Sequence, residues 1–426
     1  MKYLVVTLGC KVNTYESEAL KTLFDEKGYQ QVNEGESPDV IVVNTCSVTS
    51  TSDQKCRQKI RGLIRSYPQA IMVVMGCFAQ MASESIKDIE GVNIIIGTNN
   101  RHLIPKLVDD FKKDHKQINI VESGNRQVPY EALEVSSYYE NTRAFLKIQD
   151  GCDNFCSYCI IPFARGKMRS RPKEQVLEEV KKLLDHGFKE IVLTGIHTAG
   201  YGRDLENYRF VDLIKDILKD KRLKRLRISS IEESEIDDDF INLLRDNDVL
   251  ARHLHIPLQA GSDGVLKRMN RKYNKEQYLA KINKIYEAIP DIAITTDIIV
   301  GFPGETEEEF LSTMEFARTC HFAKIHVFPF SSRAGTVASK MPNQIPGDIK
   351  KERVRRLISL SNKLENEYQS KFIGKPLSVI FEEFDEATKM YKGHSSNYLL
   401  VYHESDENLH NVMLDVIYKK LDSVKK

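Results

Sequence analysis

Short runs of aliphatic and β-branched residues recur along this chain, each separated from the next by a stretch of helical periodicity. That alternation limits the fold more than any other feature. Lys2–Thr7, Val40–Asn44, Ala70–Met75 and Val92–Ile96 read as strands, with helices expected over Thr14–Lys27, Ser52–Ser66, Ala82–Ile89 and Arg101–Lys112. Strands that are apolar without alternation are buried on both faces, as in a parallel sheet covered by helices. Residues 123–141 turn polar and aromatic around Pro129 and read as a linker. Alternation resumes with strands expected at 144–149, 189–195, 223–229, 252–257, 292–300 and 322–328. Helices such as Lys173–His186, Val211–Asp220, Asp237–Asp246, Lys275–Ile289 and Glu305–Thr319 fill the intervals, which is the pattern of a partial (β/α)6 barrel. A long helix, Gly347–Phe372, is followed by four strand-like runs, Leu377–Glu382, Met390–Gly393, Tyr398–Val401 and Val412–Ile417, expected to form a small β-barrel. The α/β chain therefore divides into an open parallel domain at 1–122, the linker, a barrel with its trailing helix at 142–372, and a β-domain at 373–426.

The strand pattern gives meaning to the cysteines. Cys10, Cys46 and Cys77 each follow a strand of the first domain. In an open α/β sheet the carboxyl ends of the strands line one crevice, so the fold itself would gather these three thiols. A single cysteine in such a place is usually a small buried hydrophobe; the same strand-end position three times over favours a metal site. Cys152-Asp-Asn-Phe-Cys156-Ser-Tyr-Cys159 follows the first barrel strand with C-x3-C-x2-C spacing. Structural zinc needs four closed ligands, and the next candidate, His186, lies beyond a helix. Three thiolates on a four-iron cluster leave one iron open. Cys56, inside a helix pattern, and Cys320, following one, have no partner at ligand spacing and read as packing residues. Eight cysteines in 426 residues fit a reducing compartment. No apolar run reaches membrane-spanning length and the first strand begins at once, so a cytoplasmic chain without a membrane partner is expected.

Together these blocks resemble the methylthiotransferases of the radical S-adenosylmethionine (SAM) superfamily. The residues that carry the likeness are Thr7-Leu-Gly-Cys-Lys-Val-Asn-Thr-Tyr-Glu-Ser-Glu18, Asn44-Thr-Cys46, Met75-Gly-Cys77, Gly151–Pro172, His255–Asp263 and Thr296–Glu305. Leu8–Asn13 and Thr194–Gly202 most resemble the branch acting on N6-threonylcarbamoyladenosine, next to the tRNA anticodon at position 37; the isopentenyladenosine and ribosomal-protein branches usually carry different residues there. The resemblance implies two 4Fe-4S clusters, one on Cys152, Cys156 and Cys159 and an auxiliary one on Cys10, Cys46 and Cys77. It also implies two roles for SAM, as radical source and as methyl donor. An unactivated adenine C2–H resists acid–base attack, so the cofactor supplies the reactivity. An electron donor and a sulfur source are implied as partners, neither identified by the sequence. The last domain resembles the TRAM RNA-binding domain, although residues 371–426 carry eight basic and nine acidic residues, a poor balance for phosphate. A non-catalytic RNA-binding protein would have no use for the six cysteines.

Beyond the cluster cysteines no catalytic residue is assigned. The resemblance puts Tyr158, Gly195, Glu232, Gln259 and Gly301 around SAM, with Gly301 making room for adenine. A cluster shield is the alternative for Tyr158, and surface charge for Glu232. His197 and His255 are rim residues without a visible acid–base partner. For tRNA, the run Arg165-Gly-Lys-Met-Arg-Ser-Arg171 offers Arg165, Lys167, Arg169 and Arg171 at the mouth of the barrel. The run Lys221–Arg227 is equally basic but precedes a strand, on the opposite rim.

Overall fold

The computed structural model describes residues 1–47, 50–122, 128–135 and 142–420. The N-terminal sheet is wholly parallel, with strands β1 (Lys2–Thr7), β2 (Gln30–Gln31), β3 (Val40–Thr45), β4 (Ile71–Gly76), β5 (Val92–Ile95) and β6 (Ile118–Asn119) in the order β2-β1-β3-β4-β5-β6. Helices α1 (Lys11–Glu26), α2 (Ser50–Ser66), α3 (Cys77–Lys87) and α4 (Ile104–Asp114) alternate with the strands. Continuous runs such as Val40–Val43 are fully buried, because apolar clusters form on both faces of the sheet.

Helices α1 and α3 begin well before the residues that periodicity predicts. α1 starts at Lys11 rather than Thr14, because the Asn13 side chain accepts from the Cys10 N–H at 3.2 Å and caps the helix there. α3 starts at Cys77 rather than Ala82, and Ala82 is the kink in it. Both extensions place a cysteine at a helix start.

The barrel strands β7 (Arg143–Lys147), β10 (Glu190–Thr194), β11 (Arg225–Ile228), β12 (His253–His255), β13 (Ala293–Val300) and β14 (Lys324–Pro329) run parallel in chain order, with a bridge between Leu226 and Leu250 joining the two halves. A short antiparallel pair, β8 (Gln149–Asp150) and β9 (Arg169–Ser170), closes the loop that carries the three spaced cysteines. That loop contains the short helix α5 (Ile161–Arg165). Of the expected linker, 128–135 is described and packs: Leu133 and Val135 are buried with Tyr15 and Ala19 of α1, wedged against Phe145 of β7. Its flanks at 123–127 and 136–141 lie outside the described residues.

Strands β15 (Pro376–Asp385), β16 (Met390–Ser395), β17 (Leu400–His403) and β18 (Met413–Ile417) form an open antiparallel sheet in the order β17-β16-β15-β18. A closed small barrel was the expectation. The inner face of the sheet is covered instead by Tyr368 and Phe372, at the end of the long helix, and by Ala293 and Ala323 of the barrel, so no further strand is needed to bury it. No described helix is long and apolar enough to cross a membrane.

Candidate metal and substrate site

β1, β3 and β4 are neighbours, and each delivers one cysteine to the same sheet edge. Thr45 pairs with Gly76, so Cys46 and Cys77 follow paired residues directly, and Cys10 reaches the same edge through Leu8, whose N–H bonds Asn44 O at 2.8 Å. Asn13 and Asn44 lock this edge. Asn13 Nδ2 donates to Asn44 Oδ1 and Asn44 Nδ2 donates to Asn13 O, both at 2.9 Å. Gly76 has φ +98°, and a Cβ there would sit 2.5 Å from Thr45 O, so only glycine lets the chain turn into Cys77. Cys10 is exposed, whereas Cys46 and Cys77 are buried. Burial pushes the Cys77 thiol up to about 12, and the charges of Cys46 and Cys10 act in the same direction. Arg165 opposes this, its Nε donating to Cys77 Sγ at 3.2 Å. A bare thiolate is unfavourable in such a place and a cation-bound one is not, which suits a metal ligand.

The second set lies on the barrel rim. Cys152, Cys156 and Cys159 are half-buried, and the loop is fastened by Ser157, whose N–H and Oγ donate to Met269 O and Arg268 O. Burial first, and then the charges of Cys156 and Cys152, push the Cys159 thiol up to about 12. Each of the other two sulfurs meets a cationic group that sequence reading missed or left open. Arg271 donates to Cys156 Sγ at 3.4 Å and pairs with Glu232. His197 lies beside Cys152 and 3.4 Å from Glu235, and although burial lowers its pKa, these two groups carry it up to about 9. All eight cysteines are free. Among the described residues the one group with three potential ligand atoms within 4.8 Å of one another is His255, Asp297 and His326. Three thiols in each set suit a four-iron cluster with one iron left open. Cys56 and Cys320 sit in apolar cores, as packing residues would.

Arg165 ties the rim loop to the first set. It stands at the end of α5, and its guanidinium reaches Cys77, Glu16 of α1 at 2.8 and 3.2 Å, and Asp150 at 3.1 Å. Lys147 bonds the same two carboxylates at 2.9 and 2.7 Å, Arg101 pairs with Glu16 and Glu131, and Arg169 with Asp150. Burial alone would raise the Glu16 carboxyl, but Arg101, Arg165 and Lys147 hold it well below the usual range.

This network corrects the expected tRNA contacts. Arg165, Arg169 and Arg171 are buried, and Arg171 pairs with Glu179 at 2.5 Å, so these three brace the domain junction and are closed to phosphate. Only Lys167 of the four is exposed. The run 221–227 is also partly structural. Arg225 and Arg227 bracket the buried Glu190 and donate to the carbonyls of Ser378, His394, Ser395 and Ser396, docking the C-terminal sheet on the barrel.

The expected SAM residues share one rim. Gly195, Glu232, Gln259 and Gly301 follow β10, β11, β12 and β13 on the side of the cysteine loop, and Tyr158 packs on the barrel core beside them. Glu232 is tied to Arg271 rather than left as surface charge. Gly301 differs from expectation. The space a Cβ would occupy is filled by Lys350, 2.2 Å away, so its missing side chain makes room for a helix rather than for adenine. His255 lies 3.4 Å from Asp297 and bonds Thr295.

Residues 146–317 match the model of the radical SAM superfamily, and residues 2–97 that of an uncharacterized protein family, UPF0004. In fold the chain is similar to the radical SAM methyltransferase TsrM from Kitasatospora setae, solved with cobalamin and a 4Fe-4S cluster, with TM-score 0.58 and 15% identity over 79% of this chain and 77% of that one. A partial barrel with three thiols on its rim is thus a radical SAM enzyme. It is 46% identical, over 95% of its length and 90% of the relative's, to the threonylcarbamoyladenosine tRNA methylthiotransferase MtaB of Bacillus subtilis. It is 35% identical, over 97% and 88%, to the tRNA-2-methylthio-N(6)-dimethylallyladenosine synthase of Acetivibrio thermocellus. The chain belongs to the radical SAM methylthiotransferases.

Proposed function

We propose that this chain methylthiolates C2 of N6-threonylcarbamoyladenosine in tRNA. The observation that carries the reading is the pair of three-thiol sets, one at an edge of each domain, with Arg165 of the rim loop bonded to Cys77 of the other set. When bound, a 4Fe-4S cluster on Cys152, Cys156 and Cys159 with SAM supplies a radical able to take hydrogen from an unactivated carbon, and a second cluster on Cys10, Cys46 and Cys77 supplies sulfur. The chain's own residues hold and shield this chemistry. Arg271, His197 and Arg165 set positive charge beside Cys156, Cys152 and Cys77, so each of these three sulfurs is countered by a cationic group. Tyr158, Gly195, Glu232 and Gln259 border the space next to the rim set where SAM would lie. For tRNA, Lys167 remains the exposed base beside the rim set, with the C-terminal sheet as the second surface for RNA. The 46% relative, against 35–38% for relatives named for the isopentenyl type of nucleoside, favours the threonylcarbamoyl branch.

The test is anaerobic reconstitution followed by nucleoside analysis. The native chain should carry about eight iron atoms and convert threonylcarbamoyl-tRNA but not isopentenyl-tRNA. Replacing Cys10, Cys46 and Cys77 by Ala should halve the iron, keep 5′-deoxyadenosine formation and abolish product. Replacing Cys152, Cys156 and Cys159 should abolish SAM cleavage. Normal product from the first variant, or continued SAM cleavage by the second, would end this reading.

A further inference from the structure

A cavity of about 560 Å³ opens between the barrel lumen and the C-terminal sheet, where Lys11, Arg227, His253, His255, His326 and Tyr398 line it. Most of its charges are matched. Arg227 bonds the buried Glu190 at 2.8 Å, Lys324 pairs with the cavity's own Glu365 at 3.1 Å, and His255 faces Asp297. Lys11 is different: among the described residues none forms a hydrogen bond or ion pair with its ammonium, although it is half-buried beside other cationic and imidazole groups. An unpaired charge removed from water in positive surroundings is unfavourable until an anion arrives. A second polar group points the same way. His253 is buried, its Nε2 is engaged by Thr295 Oγ1 at 3.0 Å, and among the described residues its Nδ1 has no partner. The cavity therefore holds a cation that no described residue pairs, and its wall buries an imidazole nitrogen that none of them engages.

Lys11 directly follows Cys10, so the cation stands beside the thiol set that would present sulfur. The base that must approach that set differs from an isopentenyl-modified one by a threonine joined through a carbamoyl group, which ends in a carboxylate and a hydroxyl. We propose that Lys11 is the specificity-determining residue that receives this carboxylate. The proposal rests on the threonylcarbamoyl reading of the chain. An isopentenyl group in the same recess would leave the ammonium unsatisfied, which is how polar sites reject apolar analogues.

The experiment uses the reconstituted full chain and synthetic anticodon stem-loops bearing threonylcarbamoyladenosine, its neutral methyl ester, or plain adenosine, with Kd read by fluorescence anisotropy at fixed salt. The native chain should prefer acid over ester by roughly ten-fold or more, the range of a charge-assisted hydrogen bond. Lys11→Met should lose that preference while binding plain adenosine as before, and Lys11→Arg should keep most of it. Iron content and SAM cleavage should be unchanged in Lys11→Met, since SAM is the other carboxylate in the reaction. A native chain blind to the ester refutes the proposal even if Lys11→Met folds poorly. Retained preference in Lys11→Met refutes it too, and if iron or SAM cleavage falls at the same time, Lys11 serves the cluster or SAM instead. Failure of the underlying reading looks different: the native chain would leave threonylcarbamoyl-tRNA unmodified and take another substrate, overturning both.

Discussion

Replacing Arg165 by Met separates a structural role for the basic run from a phosphate-binding one. Arg165 is 1% exposed and bonds Cys77, both oxygens of Glu16 and one of Asp150. In the surrounding knot four cations (Arg101, Lys147, Arg165 and Arg169) meet three carboxylates (Glu16, Asp150 and Glu131), so the excess positive charge is the one facing the Cys77 sulfur. Methionine keeps much of the volume but removes that charge. Breaking a buried pair costs about 3–5 kcal/mol, and because Arg101, Lys147 and Arg169 still counter the carboxylates, the lower end, about 3 kcal/mol, is expected. The Cys77 thiol should rise further, and the auxiliary set should lose iron first. Urea unfolding of the apo-protein under reducing, anaerobic conditions, followed by iron analysis after reconstitution, measures both. Lys167→Ala, at an exposed position, should change stability by no more than about 0.5 kcal/mol while weakening tRNA binding. An Arg165→Met protein as stable as the native one, with normal iron but weak, salt-insensitive tRNA binding, would refute the buried-knot account and restore the phosphate role.

Glu190→Gln should loosen the C-terminal sheet, since Arg225 and Arg227 would lose the carboxylate that aims them at Ser378 and Ser395; limited proteolysis near residue 375 is the measure. Burial raises the Glu190 carboxyl, but Arg227 and then Arg225 bring it below its ordinary value, so its contribution is complete above the unfolded carboxylate pKa and lost as pH falls through the folded one. Release should therefore appear in the native chain only below about pH 4, and acid-independent release would contradict the assignment. Gly76→Ala forces a Cβ to within 2.5 Å of Thr45 O at φ +98°, so a loss of about 1–3 kcal/mol is expected together with reduced iron at the auxiliary set, read by thermal unfolding and iron content.

Much of the site was legible in the sequence because its logic is local. The strand-end positions of Cys10, Cys46 and Cys77 follow from apolar runs and the helices between them, and a parallel sheet brings such ends to one edge. The C-x3-C-x2-C loop announced itself by spacing alone. The start of α3 was misplaced because Gly76 and the kink at Ala82 break periodicity just where the cysteine needs to turn. Arg271 was missed because nothing in its own surroundings marks it; its partner Cys156 lies 115 positions away.

What the sequence by itself determined was the alternation of elements, and with it the parallel sheet, the partial barrel and the six thiols at strand ends, because side-chain periodicity and turn chemistry act over a few residues. Only the tertiary structure decided which charges face water. Arg165 and Lys167 look alike in a basic run, yet Glu16, 149 positions before Arg165, draws one inside and leaves the other exposed. The same holds for Arg227, committed to Glu190 and to the C-terminal sheet, and for Lys11, which no described residue meets. A buried charge needs its counter-charge in three dimensions, and no periodicity along the chain records where that partner lies.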